Sequence, residues 1–136
     1  MPDPNAIPGA GAVPVESPLV QRLGAAREWS ETEALLTEDF VWHDEHGKRR
    51  RAKHLKSANQ WAEAAFDDLH ATVEAIFADL ENPTVLYVRD TTRGRARYRG
   101  RADLEVTAWT RVVIAPCGTR IRELGPSTII SGAPEA

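Results

Sequence analysis

From Ser17 onward the apolar residues fall into a helical pattern. Ser17 can cap, Pro18 suits a first helical position, and Leu19, Val20, Leu23 and Ala26 share one stripe, which predicts a helix ending near Trp29. Ser30 with Glu33 three residues on is a capping-box pattern, and Leu35, Leu36 and Phe40 supply the apolar contacts of a short second helix. The period then shortens to two. In Asp39-Phe40-Val41-Trp42-His43-Asp44, side chains two apart share a strand face, so Phe40, Trp42 and Asp44 point one way and Val41, His43 and Glu45 the other. Helical spacing returns over residues 53–66 with Leu55, Ala58, Ala62, Ala65 and Phe66, Trp61 lying beside the stripe, and Asp67-Asp68 is read as the stop. Four strand-like segments follow at 70–79, 84–98, 102–115 and 119–130, separated by Glu81-Asn82-Pro83, Gly100 and Pro116-Cys117-Gly118. Residues 1–16, with four prolines and no periodic pattern, read as a disordered tail ahead of one domain over 17–132.

Helices first and strands afterwards predict an α+β domain, its N-terminal helices packed on one face of a curved, mostly antiparallel sheet. A chain of 136 residues can bury such a core without disulfide or metal staples. The net charge of -3 argues against a nucleic-acid partner, although basic residues cluster at Lys48 to Lys53 and again from Arg89 to Arg101. No run approaches the apolar length of a membrane helix, and the start lacks the basic-then-apolar order of a signal peptide. Cys117 is the single cysteine, so no internal disulfide forms and a reducing, cytoplasmic setting is expected.

The candidate chemistry begins at Asp44. A carboxylate held beside Phe40 and Trp42 would lose hydration, and its raised pKa would make it a general base or acid; equally, Asp before Glu-His-Gly is ordinary turn chemistry. His43 and His46 face opposite sides of a strand and no HxH or HExxH spacing occurs, so no metal site is expected. His54 sits on a flank of the third helix with Trp61, open to a pocket or to a surface role. Phe40, Trp42, Trp61 and Phe66 can line a pocket or form plain core. Glu123, two after Ile121, reads as a pocket acid or an edge charge. Trp109 alternates against Val106, Ala108, Thr110 and Val112, which puts its ring on the outer sheet face if that set points inward.

This order of elements, with Asp39 to Asp44 as the first long strand and Phe66-Asp67-Asp68-Leu69-His70-Ala71-Thr72-Val73-Glu74 leading into the last three, resembles the nuclear transport factor 2-like superfamily, and within it the SnoaL-like polyketide cyclase and ketosteroid isomerase branch. The resemblance spans residues 17–130. It implies a cone-shaped α+β barrel with a deep apolar pocket, and a homodimer, here through the outer sheet face carrying Trp109. The acid-then-glycine pattern after the first strand matches Asp44-Glu45-His46-Gly47. Counting back from Gly94 puts Leu86, Val88, Asp90 and Thr92 on the pocket face, making Asp90 a second acid. The tyrosine that ketosteroid isomerases carry in their first helix has no counterpart; a protonated Asp90, an indole N–H of Trp42 or Trp61, or His54 would have to hold a developing oxyanion.

Two functions follow. The first is cofactor-free acid/base catalysis on a small hydrophobic carbonyl or polyketide-like molecule, by isomerisation, cyclisation or dehydration. Asp44 and Asp90 are its catalytic candidates, with Phe40, Trp42, His54, Trp61, Phe66, Val88 and Glu123 at the substrate. The second is a non-catalytic dimeric module of the same fold that binds an apolar ligand or joins an assembly.

Overall fold

The computed structural model describes residues 12–131. The Ser17 hydroxyl accepts a hydrogen bond from the Val20 N–H at 3.2 Å and starts α1 (Pro18–Ala25), which buries Leu19 and Val20. The helix stops four residues short of Trp29. α2 (Trp29–Glu33) begins there instead, because Glu31 rather than Glu33 reaches back: its carboxylate accepts from the Arg27 and Glu28 N–H groups, while Glu33 takes the Trp29 indole N–H at 3.0 Å.

β2 (Leu36–His43) buries Leu36 and Phe40. A turn at Gly47 (φ 76°) leads to β3 (Arg49–Arg50), and α3 (Ala52–Ala65) follows. α3 stops at Ala65, just ahead of Asp67-Asp68 as expected, and passes straight into β4 (Phe66–Ala78) without a loop. Asp68 is left-handed (φ 53°), and the two acids are held by Arg97 and Arg95 at 2.9 and 2.6 Å. β5 (Val85–Ala96), β6 (Leu104–Ile114) and β7 (Ile121–Ser131) complete the long meander.

Among the described residues the strands, with β1 (Val13–Pro14) at one edge, form one sheet in the order β1-β4-β5-β6-β7-β2-β3, in which only β2 and β7 run parallel. β1 (Val13–Pro14) is a correction to the expected tail: it pairs with β4, and the Val15 N–H reaches the Ile76 carbonyl at 3.0 Å. Proline there is tolerated because the strand sits at a sheet edge. Residues 1–11 of that tail lie outside the described residues.

Register shifts in β4 between Val73 and Ala75, and in the β6–β7 ladder around Thr110 to Ile114, bend the sheet. The helices cover its concave face. Val20, Phe40, Leu55, Leu86, Val112 and Ile121 meet there in a buried core, Ile121 being fully enclosed. The β4–α3 junction packs against Gly94, where an added Cβ would come within 2.9 Å of Phe66, so only glycine fits without displacement.

Candidate functional site

Between α1, α3, β2 and the concave face of β4–β7 lies a cavity of about 370 Å³ that shares Val20, Val88 and Val112 with the core, a size suited to small-molecule ligands. Val20, Leu23, Val73, Val88, Val112 and Leu124 make it apolar, and Trp42 supplies one aromatic wall. Its polar groups are Asp90 and Thr92 on β5, Thr110 on β6, Ser127 on β7, and Asn59 reaching from α3.

Strand alternation puts Asp90 in this wall between Val88 and Thr92. Its carboxylate accepts one long hydrogen bond from the Thr110 hydroxyl at 3.4 Å, and Thr110 is linked to the Ser127 hydroxyl at 2.9 Å. Burial pushes the Asp90 pKa up to about 6; the Thr110 hydroxyl opposes that shift and the negative charge of Glu74 adds to it. Glu74 is held on the far side of the sheet by the Thr91 hydroxyl at 2.8 Å.

Asp44 stands elsewhere. It follows the last residue of β2, buried but absent from the cavity lining, and its carboxylate is consumed by the turn: Oδ1 accepts from the His46 and Lys48 N–H groups at 2.9 Å each, and Oδ2 from Arg50 Nε at 3.0 Å. Burial works to raise its pKa, but the Lys48 N–H, the Arg50 guanidinium and the His46 N–H outweigh it and hold the carboxyl below its ordinary value. The two acids therefore do not share the aromatic-lined face expected of them.

Of the residues expected at a substrate, Trp42 and Val88 line the cavity. Phe40 belongs to the buried core. His54 Nδ1 accepts the Arg51 N–H, a helix-start role. Trp61 is 61% exposed and, with Phe66, flanks the Arg101 guanidinium at 5.5 and 5.8 Å.

Glu123 turns away from the cavity, since the register shift between Val113 and Ile114 aligns it with outer-face Val113 although Ile121 points inward. There it meets His43 Nε2 at 2.8 Å, with Arg111 and Arg122 within 3.7 Å, and the His43 hydrogen bond leads the influences that lower its pKa. Trp109 is on the outer face as alternation predicts, yet only 5% exposed, with the Phe77 ring at 5.8 Å; its indole nitrogen has no acceptor among the described residues.

Asn59, Leu124, Gly125 and Ser127 are cavity residues that the sequence reading missed. Asn59 carried a signal: it interrupts the helical spacing Leu55, Ala62, Phe66 as the one polar member of that stripe.

A second, wider hollow of about 490 Å³ runs past Arg27, Glu63, Asp67 and Arg97. Its rim is closed by the Arg97–Asp67 ion pair, which makes it a polar, solvated groove. Among the described residues no group of three His, Cys, Asp or Glu is placed to hold a metal ion, and no helix is long and apolar enough to cross a membrane.

A family model described as a SnoaL-like domain matches residues 20–118. No curated protein matches the sequence. Among solved structures, IdmH of Streptomyces antibioticus, a candidate polyketide cyclase, superposes with a TM-score of 0.64 at 20% identity, covering 82% of this chain and 88% of its own. AclR of Streptomyces galilaeus, a candidate hydroxylase, gives 0.68 at 16%, covering 85% and 74%. A Catenulispora acidiphila protein of ketosteroid isomerase-like fold, in complex with trimethylamine, gives 0.64 at 13%, covering 80% and 84%. At these identities the solved structures establish the fold alone.

Proposed function

The chain belongs to the SnoaL-like domain family, and from that premise we propose that it is a cofactor-free acid/base enzyme acting on a small hydrophobic carbonyl or polyketide-like molecule. The observation that carries this reading is Asp90, the one ionisable side chain among the described residues of the cavity wall, with a pKa of about 6 that makes both of its forms accessible at neutral pH. The candidate assignment of IdmH supports the substrate class.

In this mechanism the Asp90 carboxylate takes a proton from carbon next to a carbonyl. The C–H electron pair forms the enolate, and the Asn59 amide or the Thr110 and Ser127 hydroxyls donate hydrogen bonds to its oxygen. Protonated Asp90 then returns the proton to another carbon, completing an isomerisation. Where the enolate carbon attacks a second carbonyl the ring closes and Asp90 protonates the new alkoxide; where a β-hydroxyl leaves, Asp90 protonates it as water. Asp44 takes no proton in this scheme. It is a positioning residue, fixing the β2–β3 turn and through it the Trp42 wall. The single exposed thiol of Cys117 suits a reducing cytoplasm, and the proposal includes a homodimer in which a second copy of the chain packs on the outer sheet face.

The test is exchange in D₂O, following loss of the α-proton NMR signals of 2-tetralone. Asp90→Asn is expected to slow enzyme-dependent exchange by about 10² to 10⁴. Exchange unchanged in that variant would remove Asp90 from the mechanism. A ketone that binds without exchanging would leave the ligand-binding module as the function.

A further inference from the structure

A second carboxylate stands behind Asp90, across the sheet. β4 and β5 pair antiparallel with Val73 opposite Asp90 and Thr72 opposite Thr91, so Asp90 and Val73 face the cavity while Thr91 and Glu74 meet on the outer face. Thr91 is almost fully enclosed, and its hydroxyl has one proton to give. Glu74 Oε1 accepts it at 2.8 Å, so the Thr107 hydroxyl, also at 2.8 Å, donates to Thr91 in turn. The chain from Thr107 through Thr91 to Glu74 therefore runs in one direction and fixes the charged carboxylate against the strand that carries Asp90. On the inner side, among the described residues, α1, α3, β4, β6 and β7 contribute no ionisable side chain to the cavity lining around Asp90. On the outer side Arg89 of β5 faces Glu74 at 3.6 Å, and Glu16, ahead of α1, shares a shallow hollow with it.

We propose that Glu74 is a positioning residue for the proton transfer at Asp90: its charge, fixed by Thr91, acts across the β4–β5 pair and makes Asp90 the stronger base. This rests on the reading of Asp90 as the residue that moves the proton. Glu74 touches no ligand and takes no proton itself. Ionising Asp90 puts a second negative charge on the same strand pair, and hydrogen-bonded backbone rather than open water separates the two, so their repulsion is screened less than that of two surface groups. The negative charge of Glu74 accordingly adds to the rise that burial imposes on Asp90. A carboxylate that holds its proton more firmly also takes one from carbon more readily.

Glu74→Gln tests this, since it removes the charge and keeps an oxygen for the Thr91 hydroxyl. Carboxyl ¹³C NMR titration of Asp90 in this variant should give a midpoint about half a pH unit below the parent's. Glu105→Gln, which removes an outer-face charge paired with Arg93 farther along the strands, should leave the midpoint in place. The pH dependence of 2-tetralone exchange should move with the NMR midpoint in Glu74→Gln, and exchange at its plateau should slow about twofold. An Asp90 midpoint that Glu74→Gln does not lower would overturn the proposal, whatever happens to the ketone. So would an equal displacement by Glu105→Gln, because net charge alone would then be the cause. If the midpoint falls but exchange does not follow it, the reading of Asp90 as the base fails, and the positioning role fails with it.

Discussion

Asp90 and Asp44 are the same side chain with opposite surroundings, and stability should follow pH in opposite senses at the two. The folded-state pKa of Asp90 is raised to about 6, so ionising it disfavours the native state; the penalty is absent below the unfolded value near 3.9, grows through the interval and is complete above about 6. Urea titrations should therefore show Asp90→Asn more stable than the parent by about 1–3 kcal/mol at pH 8, with the gain gone near pH 4. Asp44 has a lowered folded-state pKa, so its contribution is present above the unfolded value and is lost as the pH falls through the folded one. In the same titrations Asp44→Asn should be the less stable protein at pH 8, the deficit shrinking in acid; a variant as stable as the parent at pH 8 would show that the turn does not depend on the carboxylate. The contrast explains what the sequence could convey. Asp90 was legible because alternation holds along β5 back from Gly94. For Asp44 the turn chemistry legible in Asp-Glu-His-Gly is what the structure has; its placement on the pocket face came from carrying alternation past His43, where the strand ends and the backbone turns to supply N–H donors to that carboxylate.

At the scale of elements, periodicity found α1, α3 and the four long strands, whose burial patterns are strong. It could not see that β6–β7 register shifts rotate Glu123 to the outer face, because a bulge leaves no mark on apolar periodicity. Nor did it show that β7 runs beside β2. That pairing depends on Gly125, which adopts φ 91° and lies so close to His43 that an added Cβ would collide with the His43 carbonyl oxygen. Gly125→Ala should cost about 1–3 kcal/mol, seen as a lower melting temperature, and should weaken ligand binding by moving Trp42. A melting curve like the parent's would mean that the strands accommodate the methyl group and that the close approach is not required.

For the whole molecule, the outer face is the remaining broad surface. Ion pairs Glu74–Arg89, Arg93–Glu105 and Arg111–Glu123, at 3.5 to 3.6 Å, alternate in sign around the buried Trp109. A face of mixed charge can meet a copy of itself across a two-fold axis, and sedimentation equilibrium should then report twice the chain mass of 15.0 kDa; a monomer at high micromolar concentration would remove the homodimer. The parallel contact of β2 with β7 has a different consequence, one of timing. The cavity needs Trp42 from β2 and Leu124 from β7, residues far apart along the chain, and nothing local brings them together. Strand β2 must wait for the whole meander before its partner exists, a non-local closure of the kind that makes folding slow. The cavity is thus completed by the last pairing rather than the first, so a molecule bound there would act as a clasp on the finished sheet.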